Sequence, residues 1–371
     1  MAKVLFTAST FSHIKNFHMP YLKCFQECGW TVHVACGGAA EQMPWTDRVI
    51  PLPFEKRMWA PGNFRAAGIL RREIAAEGYD LICTHTSLAA FFTRLALPGK
   101  NRPKVINVAH GYLFDDDTPA LRRWVLLTAE RCMASRTDLV LTMNRWDFDL
   151  ARRCKLGREV VNIPGMGVDF SRLEESGPDT ARQVRERLGI PAGAFVLAYG
   201  AEFSKRKSQA VLLEALKLLP ERAVLVLAGE GALLDTCRAL AAKLGLEARV
   251  RFTGQVDSMA PLYAAADAVV ASSRSEGLPF NIMEAMHYGL PVVASAVKGH
   301  VDLIRSDETG LLYTYGDAAA CAEQVHILMD SQALCDRLGQ QARQSVETYA
   351  LERVLPVVME QYMSRLPVAV G

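Results

Sequence analysis

The chain has 371 residues, half of them apolar and 22% charged, which allows two domains and excludes a disordered or fibrous protein. It contains no run of 18 or more apolar residues, so no membrane-spanning helix is predicted. The formal net charge of +2 is unevenly distributed. Residues 1–165 carry 22 Lys and Arg against 15 Asp and Glu, a net charge of +7, and the remainder carries −5. A basic N-terminal half favours an anionic partner or surface, with a chance distribution of solvated charges as the alternative.

Alternating strands and helices are predicted from the first residues onward. Val4–Thr7 is typical of a short buried strand, and it begins so close to the initiator Met that no signal peptide is expected. A loop, a helix ending at Gly29 and the strand Thr31–Cys36 follow, which is a Rossmann-type opening, but without the glycine fingerprint of a dinucleotide site. Further strands are predicted at Arg48–Pro51, Leu81–Thr84, Val105–Ala109, Leu139–Thr142 and Val160–Ile163.

A break in this alternation predicts a domain boundary. Pro164–Asp169 is rich in Gly and Pro, and polar residues follow through Pro178. A second alternation begins with the strand Ala194–Tyr199 and the helix Lys207–Leu219, and it ends in helices with no strand after them. We therefore expect an α/β protein of two doubly wound, Rossmann-like domains, at residues 1–170 and 171–349, followed by a C-terminal helical segment at 350–371.

Two carboxylates mark the region where a binding site is expected. Glu276 lies in a loop containing Gly and Pro, and Glu284 follows, after seven intervening residues, in an apolar helical run between two predicted strands. In open α/β sheets, ligands bind at the carboxyl ends of the strands. There, helix-start N–H groups can take an anion and carboxylates can accept hydrogen bonds from hydroxyls. Phosphate together with a polyol is the chemistry of a nucleotide-sugar; the alternative is two unrelated glutamates.

Basic residues supply the next candidates. Lys207 is expected at the start of a helix, where it can meet a diphosphate together with Lys205 and Arg206, and a solvated basic turn is the alternative. His110 follows a predicted strand and could donate a hydrogen bond to a sugar hydroxyl or a leaving phosphate, or be a satisfied structural histidine.

Other polar residues of the first domain are weaker candidates. His13 and His18, in the first loop and early helix, could simply cap or pack. The run Asp115–Asp117 could hold Mn²⁺ or Mg²⁺, but capping of the next helix is the favoured explanation, so no metal ligand is assigned.

The stretch Ser275–Met286, followed by Gly289–Ser295, resembles the E-x₇-E signature of the family 4 retaining glycosyltransferases, which have the two-Rossmann-domain GT-B fold. The resemblance covers nearly the whole chain and is closest to the branch found in bacterial capsule and exopolysaccharide assembly. It implies two domains that face a central cleft and a last helix, residues 350–364, that crosses back to the first domain. The segments that carry the resemblance besides the signature are the His13/His18 loop, Ala109–Gly111, Pro164–Asp169, the Lys207 turn and Gly254–Met259.

The resemblance implies a role for each site residue. Glu276 would contact hydroxyls of the donor sugar, with backbone groups from Gly277 to Phe280 beside it. Lys207, Asn281 and Ile282 would meet the diphosphate. Glu284 would bind the ribose, the base would lie near Gly254–Val256, and His110 would lie near the donor sugar. The family is generally metal-independent, so no metal and no cofactor are expected besides the donor substrate, UDP-N-acetylhexosamine or UDP-galactose. Departure of the diphosphate would be assisted by fixed cations and N–H groups. Retention of configuration is implied by the family alone.

One position departs from the family pattern. Many members carry an Arg ahead of the Lys as a second diphosphate ligand, and Glu202 stands at that place here, so Arg206 or Lys205 would have to supply the charge. This departure supports one alternative, an inactive nucleotide-sugar-binding subunit of a polysaccharide assembly complex. A related UDP-N-acetylglucosamine 2-epimerase is the enzyme alternative, against which the signature argues.

The acceptor and the location are expected from the same resemblance. The acceptor would be a glycan or a lipid-linked sugar, and no nucleic-acid partner is expected. Nine scattered cysteines without C-x-x-C indicate reduced thiols in a cytoplasmic protein, at the inner face of the plasma membrane if it is peripherally attached. Basic side chains that could lie against anionic headgroups are Arg122, Arg123, Arg145, Arg152, Arg153, Lys155 and Arg158.

Overall fold

The computed structural model describes residues 1–39, 42–173 and 178–364. The chain divides into two compact units: Met1–Gly167 with the segment from Glu352 onward, and Val168–Leu351. Residues 174–177 of the predicted boundary segment and 365–371 of the predicted C-terminal segment lie outside the described residues.

The first unit is built on a parallel sheet of seven strands. These are β1 (Lys3–Ala8), β2 (Thr31–Gly37), β3 (Arg48–Leu52), β4 (Leu81–His85), β5 (Lys104–Ala109), β6 (Leu139–Thr142) and β7 (Glu159–Asn162). Their spatial order is β3-β2-β1-β4-β5-β6-β7, and Val4 of β1 pairs with Val32 on one side and Leu81 on the other. The connecting helices are α1 (Phe11–Phe17), α2 (Met19–Glu27), α3 (Pro61–Glu77), α4 (Ser87–Ala96), α5 (Ala120–Met133) and α6 (Arg145–Cys154).

The second unit repeats the plan with six parallel strands. These are β8 (Phe195–Gly200), β9 (Ala223–Ala228), β10 (Val250–Gly254), β11 (Ala268–Ala271), β12 (Val292–Ser295) and β13 (Leu311–Tyr313), in the order β10-β9-β8-β11-β12-β13. Its helices are α7 (Pro178–Arg187), α8 (Gln209–Leu218), α9 (Leu234–Lys243), α10 (Ala260–Ala265), α11 (Phe280–His287), α12 (His300–Leu303), α13 (Ala318–Met329) and α14 (Gln332–Val346).

The central strands are continuous apolar runs because helices cover both faces of a parallel sheet. All six residues of β9 are buried, for example. In each unit the strand order reverses beside the first strand, between β1 and β4 and between β8 and β11. Such switch points leave a crevice at the carboxyl ends of the strands, which is where a ligand is expected in this architecture.

The last described helix, α15 (Leu351–Met363), belongs almost entirely to the first unit. Its Tyr362 is buried there, with its ring edge-on to Phe6 at 6.2 Å between centroids and to Tyr21 at 5.9 Å. Among the helices that the structure describes, none has the length and apolar character needed to cross a bilayer.

The predicted fold class, an α/β chain of two Rossmann-like doubly wound domains, is confirmed, and the elements differ in detail. The single helix predicted before Gly29 is two helices, α1 and α2, that meet at His18, since Pro20 cannot donate the hydrogen bond that would continue α1. The prediction that a helix starts at Lys207 is wrong by two residues, because Ser208 adopts a left-handed conformation with φ of 53°. Helices α7 and α12 were not predicted.

Candidate functional site

The candidate site of the second unit lies at its switch point. The loop after β8 carries Arg206 and Lys207, and the loop after β11 carries Glu276. A backbone hydrogen bond from Arg274 N to Arg206 O at 2.7 Å joins the two loops, and Ser272 Oγ donates to Lys207 O at 2.9 Å. The topology therefore brings together residues that are about seventy positions apart in the chain.

Glu276 is held between two cations. Its Oε1 lies 2.7 Å from Lys207 Nζ, and its Oε2 accepts a hydrogen bond of 2.6 Å from Arg206. Glu276 and Lys207 are largely buried, with side chains 8% and 12% exposed, whereas Arg206 is 48% exposed. Arg206, one of the two residues expected to supply the second charge, thus lies beside the carboxylate, while Glu202 is exposed.

The charge state of this cluster follows from the balance between burial and attraction. Burial alone would raise the pKa of Glu276, but the charges of Lys207 and Arg206 outweigh it and lower the pKa to about 2. Burial lowers the pKa of Lys207, and the attraction of Glu276 opposes that shift. The site therefore holds an ionised carboxylate against a buried ammonium group.

The loop that carries Glu276 is packed against a second loop with no room for a side chain. Gly299 has a φ of +83°, and a Cβ there would lie 2.8 Å from Gly277 O and 2.9 Å from Glu276 Cβ. Glu276 N also donates to Lys298 O at 3.3 Å. Asp302 accepts from Gly299 N at 3.0 Å, which caps the short helix α12 and fixes the second loop. Glycine at 299 thus allows the close backbone approach that positions the carboxylate.

The start of α11 is anchored to the end of β8. Asn281 Nδ2 donates to Gly200 O at 3.0 Å, and Tyr263 Oη lies 3.0 Å from Asn281 O. The first N–H groups of a helix have no partner within the helix, so Phe280, Asn281 and Ile282 place donors at this edge of the sheet. Such a helix start is suited to an anion.

Glu284, one turn into α11, contrasts with Glu276. It accepts a hydrogen bond of 3.2 Å from Tyr263 Oη. Burial raises the pKa of Glu284 to about 7, and the hydrogen bond from Tyr263 offsets only part of that rise. Two carboxylates of one site are thereby set to different charge states, one ionised at all ordinary pH values and one that titrates near neutrality.

The segment predicted to hold the base follows the neighbouring edge strand. Gly254 ends β10, and its carbonyl accepts from Gly229 N at 2.7 Å. Val256 lies two residues further on and is half-buried. Both residues lie at the same carboxyl edge of the sheet as the β8 loop, since β8, β9 and β10 are consecutive parallel strands.

The candidate residues of the first unit lie at its own switch point. His110 follows β5, and its Nε2 lies 3.3 Å from Nδ1 of His85, the last residue of β4. His13 and His18, from the first helical segment, have ring centroids 4.4 and 5.2 Å from that of His110. A small pocket beside His110 is lined by residues that include Thr86, Asn107 and Glu130. His85 was missed by the sequence analysis, although its place at the end of a strand matches that of His110.

Asp115–Asp117 make structural contacts rather than a cap. Asp115 accepts from Thr118 Oγ1 at 2.7 Å, and Asp116 pairs with Arg123 at 2.9 Å. The N-cap of α5 is Pro119, without a side-chain capping bond, so the expectation that these carboxylates cap the helix is wrong.

Tyr263 and Gly299 were also missed in the second unit. Neither carries a local sequence signal, because their importance comes from what the fold places opposite them. For His300 a weak signal existed, since polar residues after a predicted strand are site candidates; it is buried, with Nδ1 2.8 Å from Ser295 O.

Two family models match the chain in sequence. Residues 19–164 match the model described as "Glycosyl transferase 4-like domain", and residues 181–345 match "Glycosyl transferases group 1". The EpsD protein of Bacillus subtilis (strain 168), which carries the description of a glycosyltransferase, is 34% identical over 97% of this chain and 96% of its own. The D-inositol 3-phosphate glycosyltransferase of Salinispora arenicola (strain CNS-205) is 31% identical over 81% of this chain and 73% of its own.

Solved structures share the fold. HepE of Anabaena, crystallised in complex with UDP and glucose, has a TM-score of 0.82 at 21% identity, over 98% of this chain and 100% of its own. The two parallel Rossmann-like sheets and the family matches over nearly the full length define a glycosyltransferase of this two-domain fold. The chain belongs to the group 1 glycosyltransferases, in family 4.

Proposed function

We propose that this glycosyltransferase is a retaining, metal-independent enzyme that moves a sugar from a UDP-sugar to a glycan or lipid-linked acceptor in cell-surface polysaccharide synthesis. The observation that carries the proposal is the buried Glu276 clamped by Lys207 and Arg206 beside the start of α11. UDP as the nucleotide is supported by the UDP complex of HepE. UDP-N-acetylhexosamine and UDP-galactose are the candidate donors.

The donor fits the site in a defined order along α11. The diphosphate lies at the helix start, where the N–H groups of Asn281 and Ile282 and the charges of Lys207 and Arg206 meet it. The sugar hydroxyls donate to Glu276, and the ribose hydroxyls donate to Glu284. The base lies beyond the ribose, towards Gly254–Val256.

The chemistry is stabilisation of the leaving group. As the bond from the anomeric carbon to the phosphate oxygen breaks, negative charge grows on the diphosphate, and preorganised cations and N–H groups stabilise it. Glu276 stays ionised because its pKa is about 2, so it acts as a hydrogen-bond acceptor that orients the sugar and not as an acid. His110 of the first unit is proposed to contact the donor sugar. The acceptor hydroxyl attacks from the face that the diphosphate leaves, and its proton passes to the departing phosphate oxygen.

The proposed donor contacts are tested by comparing UDP with UDP-sugars. In Glu276→Gln, Lys207 loses its counter-charge, so UDP affinity is expected to stay constant or increase, while sugar transfer falls by roughly 100-fold or more. In Glu284→Gln, affinity for UDP itself is expected to fall about 10- to 100-fold, the equivalent of one hydrogen bond to a charged group. Exposed Glu323 of α13 provides the matched control Glu323→Gln, with unchanged binding and turnover.

The measurements are calorimetric titration with UDP, GDP and ADP and their sugars, and UDP release with a lipid-linked acceptor. Equal turnover of Glu276→Gln and the native protein would show that the Glu276 carboxylate has no role in sugar transfer. Binding of UDP-sugars without transfer to any acceptor would favour the inactive binding subunit instead. Turnover of UDP-N-acetylglucosamine in the absence of acceptor would favour an epimerase.

Attachment of the protein to the inner face of the plasma membrane is part of the proposal, and α5 supports it. Leu121, Trp124 and Val125 are 75%, 64% and 44% exposed, and their spacing places them on one face of the helix. Exposed Arg122 flanks this face, so an apolar face with Trp and a neighbouring positive charge is offered to an anionic bilayer surface.

Vesicle sedimentation at low salt tests this attachment. Binding to phosphatidylglycerol vesicles, weak binding to phosphatidylcholine vesicles, and loss of binding in Trp124→Ser are expected. The control is Trp59→Ser, another exposed tryptophan, 72% accessible, away from α5. No preference for anionic vesicles would contradict the attachment. It would favour a soluble polar acceptor, the class of acceptor named for the Salinispora relative.

A further inference from the structure

Four histidines of the first unit converge on one point. His13 comes from α1, His18 from the junction of α1 and α2, His85 from the end of β4, and His110 from the residue after β5. One ring nitrogen of each lies within 4.8 Å of the chosen nitrogens of the other three. The first and last of the four histidines are 97 positions apart in sequence. They come together because β1, β4 and β5 lie side by side in the sheet.

The ring nitrogens lack the hydrogen bonds that buried polar groups normally make. Both nitrogens of His18, Nε2 of His13 and Nε2 of His85 are buried without a hydrogen-bond partner among the described residues. The contact of 3.3 Å between His85 Nδ1 and His110 Nε2 joins two members of the group to each other. Because the large majority of buried polar groups are satisfied in native proteins, several unsatisfied ring nitrogens in one cluster indicate a ligand there.

The group is suited to a cation. It contains no carboxylate, and burial lowers the pKa of all four histidines, that of His13 to about 4. Neutral imidazoles offer a lone pair on one nitrogen, which is the form that binds metals. Imidazole nitrogen suits Zn²⁺, Cu²⁺, Ni²⁺ and Fe²⁺, whereas Mg²⁺ and Ca²⁺ prefer oxygen ligands.

We propose that His13, His18, His85 and His110 bind one divalent transition-metal ion of the Zn²⁺ class. A tetrahedral ion with bonds of about 2.0–2.1 Å places its ligand nitrogens roughly 3.3 Å apart. His85 Nδ1 and His110 Nε2 already have this separation. The other ligand nitrogens, within 4.8 Å of one another, move closer on binding, and the rings of His18 and His85, now 3.7 Å apart between centroids, move apart. A closed site of four protein ligands is structural, so the ion fixes the first helical segment against the ends of β4 and β5.

The ion is compatible with the contact proposed for His110. A metal on Nε2, the nitrogen that faces His85, leaves the proton on the other ring nitrogen, which then has a fixed orientation as a donor. The metal site makes no use of the diphosphate-binding residues of the second unit. It therefore goes beyond the proposed function and does not depend on it.

Metal binding by the full chain, prepared without a polyhistidine tag and stripped with a chelator, tests the proposal. Titration with Zn²⁺ is expected to give one tightly bound ion per chain, and Co²⁺ is expected to give the visible absorption bands of a tetrahedral site. His18→Ala and His85→Ala are expected to weaken Zn²⁺ binding by roughly 100-fold or more. The exposed His326 provides the control His326→Ala, with unchanged binding.

Each outcome decides the question. Fewer than one tightly bound Zn²⁺ per native chain, or octahedral Co²⁺ bands, would overturn the proposal, and neither result depends on whether the variants fold. Circular dichroism identifies a variant that is merely unfolded. UDP binding is measured on the same samples, so that intact UDP binding without Zn²⁺ binding refutes the metal site alone, and the reverse refutes the donor site alone.

Discussion

Replacing Glu284 by Gln is expected to stabilise the protein at alkaline pH. The pKa of Glu284 is raised by burial to about 7 in the folded protein, from 4.5 in the absence of structure. Between these values the folded state binds a proton that the unfolded state does not, so this group's contribution to stability falls as pH rises from 4.5 to 7 and is constant above. Gln keeps the shape and the acceptor for Tyr263 but carries no charge.

The magnitude follows from the two pKa values. Their difference corresponds to about 3 kcal/mol of free energy of unfolding, and because Glu284 keeps part of its surface in contact with solvent, this value is an upper bound. At pH 8 the variant is expected to be more stable by that amount, or roughly 6–12 °C in Tm for a unit of this size. Near pH 5 the expected difference is only about 1 kcal/mol, because the carboxyl group is then still protonated in the folded protein and only partly ionised in the unfolded one.

Differential scanning calorimetry of the full chain is the suitable assay. All five tryptophans, at positions 30, 45, 59, 124 and 146, lie in the first unit, so tryptophan fluorescence does not follow unfolding of the second. Other titrating groups are common to both proteins and cancel in the difference. Glu323→Gln is the control and is expected to show no comparable pH-dependent gain. A difference that is the same at pH 5 and pH 8, or a variant that is less stable at pH 8, would refute the reasoning.

Three further substitutions test the packing. Gly299→Ala is expected to lower the free energy of unfolding by about 1–2 kcal/mol because of its positive φ, and to reduce UDP-sugar affinity because the new Cβ clashes with the loop of Glu276. The control Gly289→Ala has a φ of +76° and open space around it. It has the same backbone strain without the clash, so calorimetric titration is expected to show normal binding. Arg94→Leu leaves its buried partner, the carboxylate of Glu130, unpaired and is expected to destabilise the first unit by about 3–5 kcal/mol in urea titrations followed by tryptophan fluorescence; a neutral result would contradict the pairing at 2.9 Å. Tyr362→Phe removes a buried hydroxyl that lacks a hydrogen bond, so stability is expected to stay within about 0.5 kcal/mol or rise, and a loss of 2 kcal/mol would show that the hydroxyl has a partner.

Strands and the second-unit site were predictable because their signals are local. Buried parallel strands are short apolar runs bounded by turn residues, and β6 begins and ends where the sequence predicts. The loop of Glu276 and the helix of Glu284 are contiguous in sequence, so their shared position could be inferred. The break at His18 and the left-handed Ser208 could not, since each depends on a single backbone conformation.

The histidine cluster could not be predicted from the sequence, for a different reason. His13 and His18 were noted as weak candidates, His110 as a stronger one, and His85 not at all. Nothing in composition or spacing joins them. Only the strand order, in which β4 lies between β1 and β5, brings their loops to one edge of the sheet. A site assembled by topology from separate loops needs the fold before it can be recognised.

The two carboxylates of the second unit show how one fold assigns different charge states by environment. Glu276 is buried and Glu284 is half-buried, and burial alone would raise the pKa of each. Lys207 and Arg206 reverse that effect at Glu276, whereas the described residues give Glu284 a tyrosine hydroxyl and no cation. Between pH 6 and 8, therefore, Glu276 stays ionised and Glu284 changes charge.

An ionised Glu284 is the better acceptor for ribose hydroxyls, so UDP-sugar affinity is expected to rise with pH through about 7 in the native protein and to be independent of pH in Glu284→Gln. Calorimetric titrations at pH 6, 7 and 8 measure this, and an equal pH dependence in both proteins would place the titrating group elsewhere.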